Sequence, residues 1–356
     1  MSEVRAKKAL GQHFLVDLNI ARKICDALSG GVRPEAGAET RAVAAGSADA
    51  DAETRTRVAG YAGAGAEAQT MAAGSADAGA EARTKATGTA DADAETRRGV
   101  AASADARLAA DTTAAGAPAA AEEERGGAVP CDVLEVGCGM GVLTQFLLRR
   151  GDITTYGAEI DPESVEYLHA HFPEFAPRLI EGDFLKMNLR ELFPGGLKII
   201  GNFPYNISSQ IFFKVLENRD LVPECVGMIQ KEVAVRLAEP PGSKEYGILS
   251  VLLQAWYDIE YLFTVNETVF NPPPKVKSAV IRLRRNGVER LACDETLFVK
   301  VVKASFGQRR KMIRNSLRSV FGNFGGAEHP FFTQRAEQLS VADFVELTDW
   351  VAANRT

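Results

Sequence analysis

Paired-cysteine and metal-ligand spacing is missing from this chain. Its five cysteines, Cys25, Cys131, Cys138, Cys225 and Cys293, are odd in number, scattered and without a C-x-x-C pair. That usage fits thiols in a reducing cytoplasm and excludes a disulfide frame or a zinc site. Histidine occurs four times; His169 and His171, two apart on a polar helical stretch, read as surface residues. The chain has no apolar run of about 18 residues and no signal-peptide pattern, so neither a membrane span nor export is expected. No metal site is expected either.

Residues 36–128 lack Ile, Phe and Trp altogether and hold a single leucine, Leu108. Glu39, Glu53, Glu67, Glu81 and Glu95 recur there every 14 residues, within a degenerate Ala-Gly-Ser-Ala-Asp repeat. A segment with so little apolar area to bury cannot offset its ordering entropy. It is therefore expected to be a disordered or loosely helical surface insertion without a catalytic part. It also accounts for the net charge. The segment has 15 acids and 9 bases, so the remainder holds 47 − 15 = 32 acids and 41 − 9 = 32 bases, and the overall −6 resides in the insertion.

What is present begins with Gly201-Asn202-Phe203-Pro204-Tyr205-Asn206, directly after the apolar run Leu197–Ile200. In open parallel sheets ligands bind beyond the carboxyl ends of strands. There, an Asn amide oxygen and the Pro204 carbonyl can accept hydrogen bonds from an exocyclic amine. Tyr205 offers a face on which a base can stack. A plain strand and turn would use the same residue types, so the hexapeptide needs upstream support.

That support is a second strand end. Val133–Val136 runs into Gly137-Cys138-Gly139-Met140-Gly141, and Val142–Arg150 reads as an amphipathic helix. A strand Thr155–Ile160 carries Glu159 and Asp161, and Asp183 follows the apolar Leu179-Ile180. A nicotinamide dehydrogenase is the competing reading of a glycine turn, but the spacing is G-x-G-x-G, not G-x-G-x-x-G. Glycine, Glu159, Asp183 and Asn202 on four successive strand ends fit S-adenosylmethionine better than a dinucleotide.

The chain resembles the ribosomal RNA adenine dimethyltransferases, specifically the bacterial small-subunit (16S) branch associated with kasugamycin resistance. The likeness is carried by Leu10-Gly11-Gln12-His13-Phe14-Leu15, Glu135–Gly141, Glu159-Ile160-Asp161, Gly182-Asp183, the GNFPYN hexapeptide, Gln230-Lys231-Glu232-Val233, Tyr246–Ser250, Phe270–Val276 and Phe306–Lys311. It implies cofactor contacts at His13, Leu15, Gly137, Glu159, Asp183 and Asn202, with S-adenosylmethionine as cofactor. Asn202, Pro204, Tyr205 and Phe270 then form the catalytic set, Phe270 being the second stacking residue. The implied product is two adjacent dimethylated adenosines in the 3′-terminal hairpin loop of 16S rRNA, within the small ribosomal subunit. A large-subunit (23S) methyltransferase of the antibiotic-resistance type and a non-catalytic ribosome-assembly factor are the alternatives.

Between Phe298 and Val320, Lys300, Lys303, Arg309, Arg310, Lys311, Arg314 and Arg318 occur without an acid. Such a run favours contact with RNA phosphates. Arg5, Lys7 and Lys8 are a weaker second candidate. Alternating strands and helices from Asp132 to about Gly227 argue a doubly wound sheet. The expected fold is α/β: a Rossmann-like class I methyltransferase sheet, a small C-terminal all-helical domain and the low-complexity insertion. The boundaries are 1–35 (N-terminal helical segment), 36–128 (insertion), 129–286 (methyltransferase domain) and 287–356 (helical RNA-binding domain). Helices are expected at Gln230–Ala238, Tyr246–Tyr257, Glu295–Ser305, Arg309–Phe321 and as a pair between Thr333 and Ala353, with a late strand Ser278–Leu283. A cytoplasmic monomer is expected.

Overall fold

The computed structural model describes residues 4, 6–7, 10–30, 130–308 and 310–355. The chain divides into two units, Met1–Ala36 with Arg125–Thr356, and Gly37–Glu124. The second unit, and with it the expectation for the 36–128 repeats, lies outside the described residues, as do Arg5, Lys8 and Arg309.

A short strand β1 (Phe14–Leu15) and helix α1 (Leu18–Ala27) come first. Then follow β2 (Cys131–Val136), α2 (Thr144–Leu147), β3 (Ile153–Glu159), α3 (Pro162–His171), β4 (Leu179–Glu181), α4 (Leu189–Leu192), β5 (Lys198–Asn202) and α5 (Ser208–Glu217). After β6 (Glu224–Gln230) come α6 (Lys231–Ala238), α7 (Ile248–Gln254), β7 (Tyr257–Val265), β8 (Phe270–Asn271) and β9 (Ser278–Arg285). Three helices close the chain: α8 (Glu295–Gly307), α9 (Ile313–Phe321) and α10 (Val341–Asn354).

Seven strands form one sheet in the order β4-β3-β2-β5-β6-β9-β7. The first five are mutually parallel, and β9 runs antiparallel to both of its neighbours. The central strands read as near-continuous apolar runs because both of their faces are covered. Alternate residues divide between two clusters. Ile200, Val226 and Val280 pack with Ala21 and Ile24 of α1 and with Leu28 at its end. On the opposite face, Ile199, Cys225 and Ile281 pack with Phe212, Leu252, Phe298, Leu317 and Leu347, so the C-terminal helices share one apolar cluster with the sheet.

Several element boundaries differ from the sequence reading. The helix expected over Val142–Arg150 is regular only at Thr144–Leu147. The expected helix Tyr246–Tyr257 ends at Gln254, and Tyr257 opens the unforeseen strand β7, whose exposure roughly alternates as an edge strand's does. Helix α9 starts at Ile313, where the Ile313 N–H donates to the Gln334 carbonyl at 2.9 Å, and not at Arg309. The expected C-terminal pair is two short 3-10 turns followed by α10 alone.

Described residues outside the repeats hold the end of α1. Arg150 Nη1 donates to the carbonyls of Cys25 (3.1 Å) and Leu28 (3.0 Å), the favourable place for a cation on a helix. Lys198 Nζ donates to the Ser29 carbonyl at 2.8 Å and pairs with buried Glu224 at 3.1 Å, while Glu224 also accepts from the Ser29 hydroxyl and main chain. Replacing residues 36–128 by a short Gly/Ser linker should therefore preserve cooperative thermal unfolding, followed by circular dichroism. A shortened chain that melts without a cooperative transition would contradict this.

Candidate active site

The strand order reverses beside β2: β3 and β4 lie on one side, β5 and β6 on the other. Ligand clefts in such sheets open at this switch point. Here the glycine turn after β2 and Asn202 at the end of β5 are neighbours, a Cβ built on Gly137 lying 4.0 Å from the Asn202 carbonyl. Gly137 has φ +75°, a left-handed conformation that favours glycine, and a Cβ built there would touch Pro204 Cδ at 3.8 Å.

Glu159 ends β3 beside that turn and is buried. Its Oε2 accepts the Gly139 N–H at 2.8 Å, and its Oε1 accepts those of Ile160 and Asp161, each at 2.9 Å. A carboxylate has about four lone-pair sites, so one remains for a ligand hydroxyl. Burial raises its pKa above the ordinary value, opposed by these N–H groups. Asp183, after β4, accepts the Leu185 N–H at 3.0 Å and lies 3.6 Å from Lys186 Nζ. A side chain at the preceding Gly182 would meet nothing within 4 Å.

Asn202 is half-buried, and its Nδ2 donates to the His13 carbonyl at 2.9 Å. Its Oδ1 accepts no hydrogen bond among the described residues and remains an available acceptor. The Pro204 carbonyl accepts the Ile207 N–H at 3.2 Å, leaving one lone pair. The Tyr205 hydroxyl shares a 2.6 Å hydrogen bond with Ser278, which pins the ring. Phe203 anchors this loop in a flat seat between two strands. Cβ atoms built on Gly201 and Gly227 would lie 2.8 and 2.4 Å from its ring, so both positions exclude a side chain.

Among the proposed cofactor contacts, His13 and Leu15 are placed differently from Gly137, Glu159 and Asp183. The His13 ring is 5.3 Å from that of Tyr205, and its Nδ1 lies 2.9 Å from the Pro272 carbonyl, so that nitrogen carries the proton. Leu15 pairs with Phe270 across β1 and β8 and is 2% exposed, so a ligand could meet only its main chain. Phe270 is itself only 3% exposed and belongs to the α1-side cluster. The expectation of a second open stacking face is thus not met, because the ring is packed into that cluster together with Leu15 of β1.

Three contributors were not foreseen: Phe203, Ser278 and the ties to Asp161. Asp161 is fully buried and accepts from Lys7 Nζ and, at 3.2 Å, from Gln12 Nε2. Burial alone would raise its pKa, but these partners hold it below the ordinary value. Lys7 also pairs with Glu163 at 3.0 Å, so its charge is compensated and it is a poor RNA contact. The motif Leu10–Leu15 thereby bridges the ends of β3 and β5.

In the basic segment, Lys300, Arg310 and Lys311 are exposed and Lys303 is half-buried. Glu328, beyond the segment, pairs with Arg314 at 2.9 Å and with Arg318 at 3.2 Å, so one acid that the run itself lacks partly offsets these two charges. His169 lies 3.6 Å from Glu181, and His171 stacks on Tyr167 at 3.9 Å. Among the described residues no group of three or more His, Cys, Asp or Glu side chains is placed to hold a metal ion. No helix among them is long and apolar enough to cross a membrane.

The glycine turn at Gly137, the spare lone pair of Glu159 and the clear space at Gly182 suit the ribose and adenine of S-adenosylmethionine. With the reversed strand order, they define an S-adenosylmethionine-dependent methyltransferase of the Rossmann-like kind. The profile of the ribosomal RNA adenine dimethylase family matches residues 130–353, and the chain belongs to that family. It is 62% identical over 218 residues to ribosomal RNA small subunit methyltransferase A of Parabacteroides distasonis, covering 61% of this chain and 81% of that one. Against the protein of the same name from Bacteroides thetaiotaomicron the identity is 59% over 221 residues, covering 62% and 82%. A crystal structure of a dimethyladenosine transferase from Plasmodium falciparum superposes with a TM-score of 0.53 at 25% identity, over 63% of this chain and 90% of that one.

Glu135, in β2 below the turn, is buried and accepts the Thr144 hydroxyl at 2.6 Å. Burial pushes its carboxyl up to about 8, against an ordinary 4.5. Between those values the folded chain keeps a proton that the unfolded chain has released. Stability should accordingly fall as pH rises from about 5 to 8, by up to about 1.4 kcal/mol per unit. Glu135→Gln should flatten that decline in thermal melts at pH 5.5 and 8; parallel profiles for both proteins would refute the assignment.

Proposed function

We propose that the protein dimethylates the exocyclic amines of two adjacent adenosines in the 3′-terminal hairpin loop of 16S rRNA, within the small ribosomal subunit, as a cytoplasmic monomer. One observation carries the reading: Asn202 donates its N–H to His13 and so leaves its amide oxygen as an acceptor beside the glycine turn. When bound, S-adenosylmethionine supplies a methyl group already activated on a sulfonium. The chain's own task is then orientation.

Adenine's amino lone pair is delocalised into the ring and is a weak nucleophile. Asn202 Oδ1 and the remaining lone pair of the Pro204 carbonyl accept its two N–H bonds, which favours a pyramidal nitrogen and aims the lone pair. Neither group is a strong base, and none is needed, since the methylated ammonium loses its proton readily to water. A monomethylated amine retains one N–H and so keeps one of the two acceptors for a second round. Tyr205, held by Ser278, stacks on the base, which must leave its own stack to enter. Phe270, buried in the apolar cluster behind the loop, would meet a base only if that packing opened. Glu159, Asp183 and the main chain at His13, Leu15 and Gly137 hold the cofactor. Residues 287–356 form the RNA-gripping half, through Lys300, Lys303, Arg310 and Lys311, with Arg309 outside the described residues and Arg314 and Arg318 already paired with Glu328.

Asn202→Ala should abolish dimethylation of unmethylated 30S particles, while cofactor affinity, measured by calorimetry, drops only modestly. Near-normal transfer by that variant would remove the proposed role, and preferential labelling of naked 23S rRNA by the unaltered chain would favour the antibiotic-resistance type. Tyr205→Ala should lose far more activity than Tyr205→Phe, because stacking is worth roughly 1–3 kcal/mol per base. The opposite order would assign the role to the hydroxyl.

A further inference from the structure

We propose that Lys231, Lys275 and Lys277 form a phosphate-binding rim at the mouth of the base pocket, gripping the RNA strand that carries the target adenosine. The inference rests on the base-pocket reading above and adds a second RNA contact, separate from the basic C-terminal segment. Ser278, whose hydroxyl pins Tyr205 at 2.6 Å, directly follows Lys277. Gln230 is its partner in the β6–β9 register, and the next N–H, that of Lys231, donates to the Lys277 carbonyl at 2.9 Å. Two backbones therefore bring Lys231 and Lys277 to the residue that positions the stacking ring. Lys275 follows the rigid run Pro272-Pro273-Pro274, which begins two residues after Phe270.

All three lysines are exposed, and none has a carboxylate at ion-pair distance among the described residues. Glu232, next to Lys231, pairs with Arg236 at 3.0 Å. The contrast is with Arg314 and Arg318, which share the one carboxylate of Glu328. Val276, 46% exposed between two of the lysines, adds apolar surface for a sugar or base. An uncompensated cluster of like charges next to a pocket for one extruded base suits the phosphodiesters on either side of that base. Such contacts position a strand without reading its sequence.

The test uses the full chain with Lys231, Lys275 and Lys277 all changed to Ala, and a second variant with all three changed to Arg. Affinity for a protein-free RNA hairpin with unpaired loop adenosines is measured across a KCl series. The Ala variant should lower the slope of log affinity against log salt by about 3, roughly one per lysine. It should weaken a hairpin with loop uridines by the same factor, and raise KM for unmethylated 30S particles about tenfold with a smaller change in kcat. The Arg variant should restore slope and KM. An unchanged slope, or a loss that Arg does not rescue, overturns the proposal. So does a KM defect confined to 30S particles with normal hairpin binding, which would place a ribosomal protein on the rim. If the unaltered chain fails to methylate 30S particles, the functional reading falls, while the hairpin slopes still decide the lysines.

Discussion

The hydrogen bond from Asn202 Nδ2 to the His13 carbonyl decides what the pocket can recognise. A carboxamide presents two donors on one side and an acceptor on the other, and an adenine amine needs acceptors. By handing a donor to the N-terminal segment, the fold turns the oxygen outward. The same bond ties residues 10–15 to β5, so cofactor cradle and base pocket share one strut. Its geometry depends on packing further back: Asn202 pairs with Met228 in the β5–β6 register, and Phe203 fills the seat left by Gly201 and Gly227. A methyl group on either glycine would move the loop that follows, and the amide with it.

Three carboxylates lie around the glycine turn, and each is handled differently. Glu135 is desolvated with one hydroxyl donor and is held largely protonated at neutral pH. Glu159 has three backbone N–H groups and keeps acceptor capacity. Asp161 is capped by Lys7 and Gln12 and serves the N-terminus of α3. Buried like charges raise one another's pKa. Neutralising Glu135 and pairing Asp161 leaves Glu159 as the carboxylate facing a ligand, which is the division of labour a ribose-binding acid requires.

The strand ends were legible in the sequence because short apolar or β-prone stretches such as Val133–Val136 and Ile199-Ile200 are followed at once by glycine or polar residues. Glu159 and Asn202 could be placed on that pattern alone. Phe270 could not: an aromatic before three prolines looks the same whether it faces a pocket or, as here, is packed into an apolar cluster beside a two-residue strand contributed from more than 250 positions away. Edge strand β7 was missed because Tyr246–Tyr257 is apolar enough for a helix, and its last residues turn only where Trp256 and Tyr257 are buried. Glu328 escaped notice for a similar reason. Charge compensation is a property of space, and a tally over 298–320 cannot see an acid that returns from outside the window.

That correction changes where RNA is expected to be held. Outside the repeats the chain is neutral, 32 acids against 32 bases, so attraction to a polyanion depends on which cations lack partners. Lys7 is bound by Asp161 and Glu163, Arg190 by Asp220, Arg219 by Glu295 and Arg282 by Glu260. These pairs contribute little long-range field, because each cation's potential is cancelled within a few ångströms. Among the described residues, exposed cations without an ion pair include Lys300 on α8 with Arg310 and Lys311 in the turn that follows it, and Lys231, Lys275 and Lys277 near Tyr205. Two separated grips of this kind suit a folded RNA better than a single basic face. One can hold a helix by its phosphates, and the other can steady the loop while one base is drawn out of it.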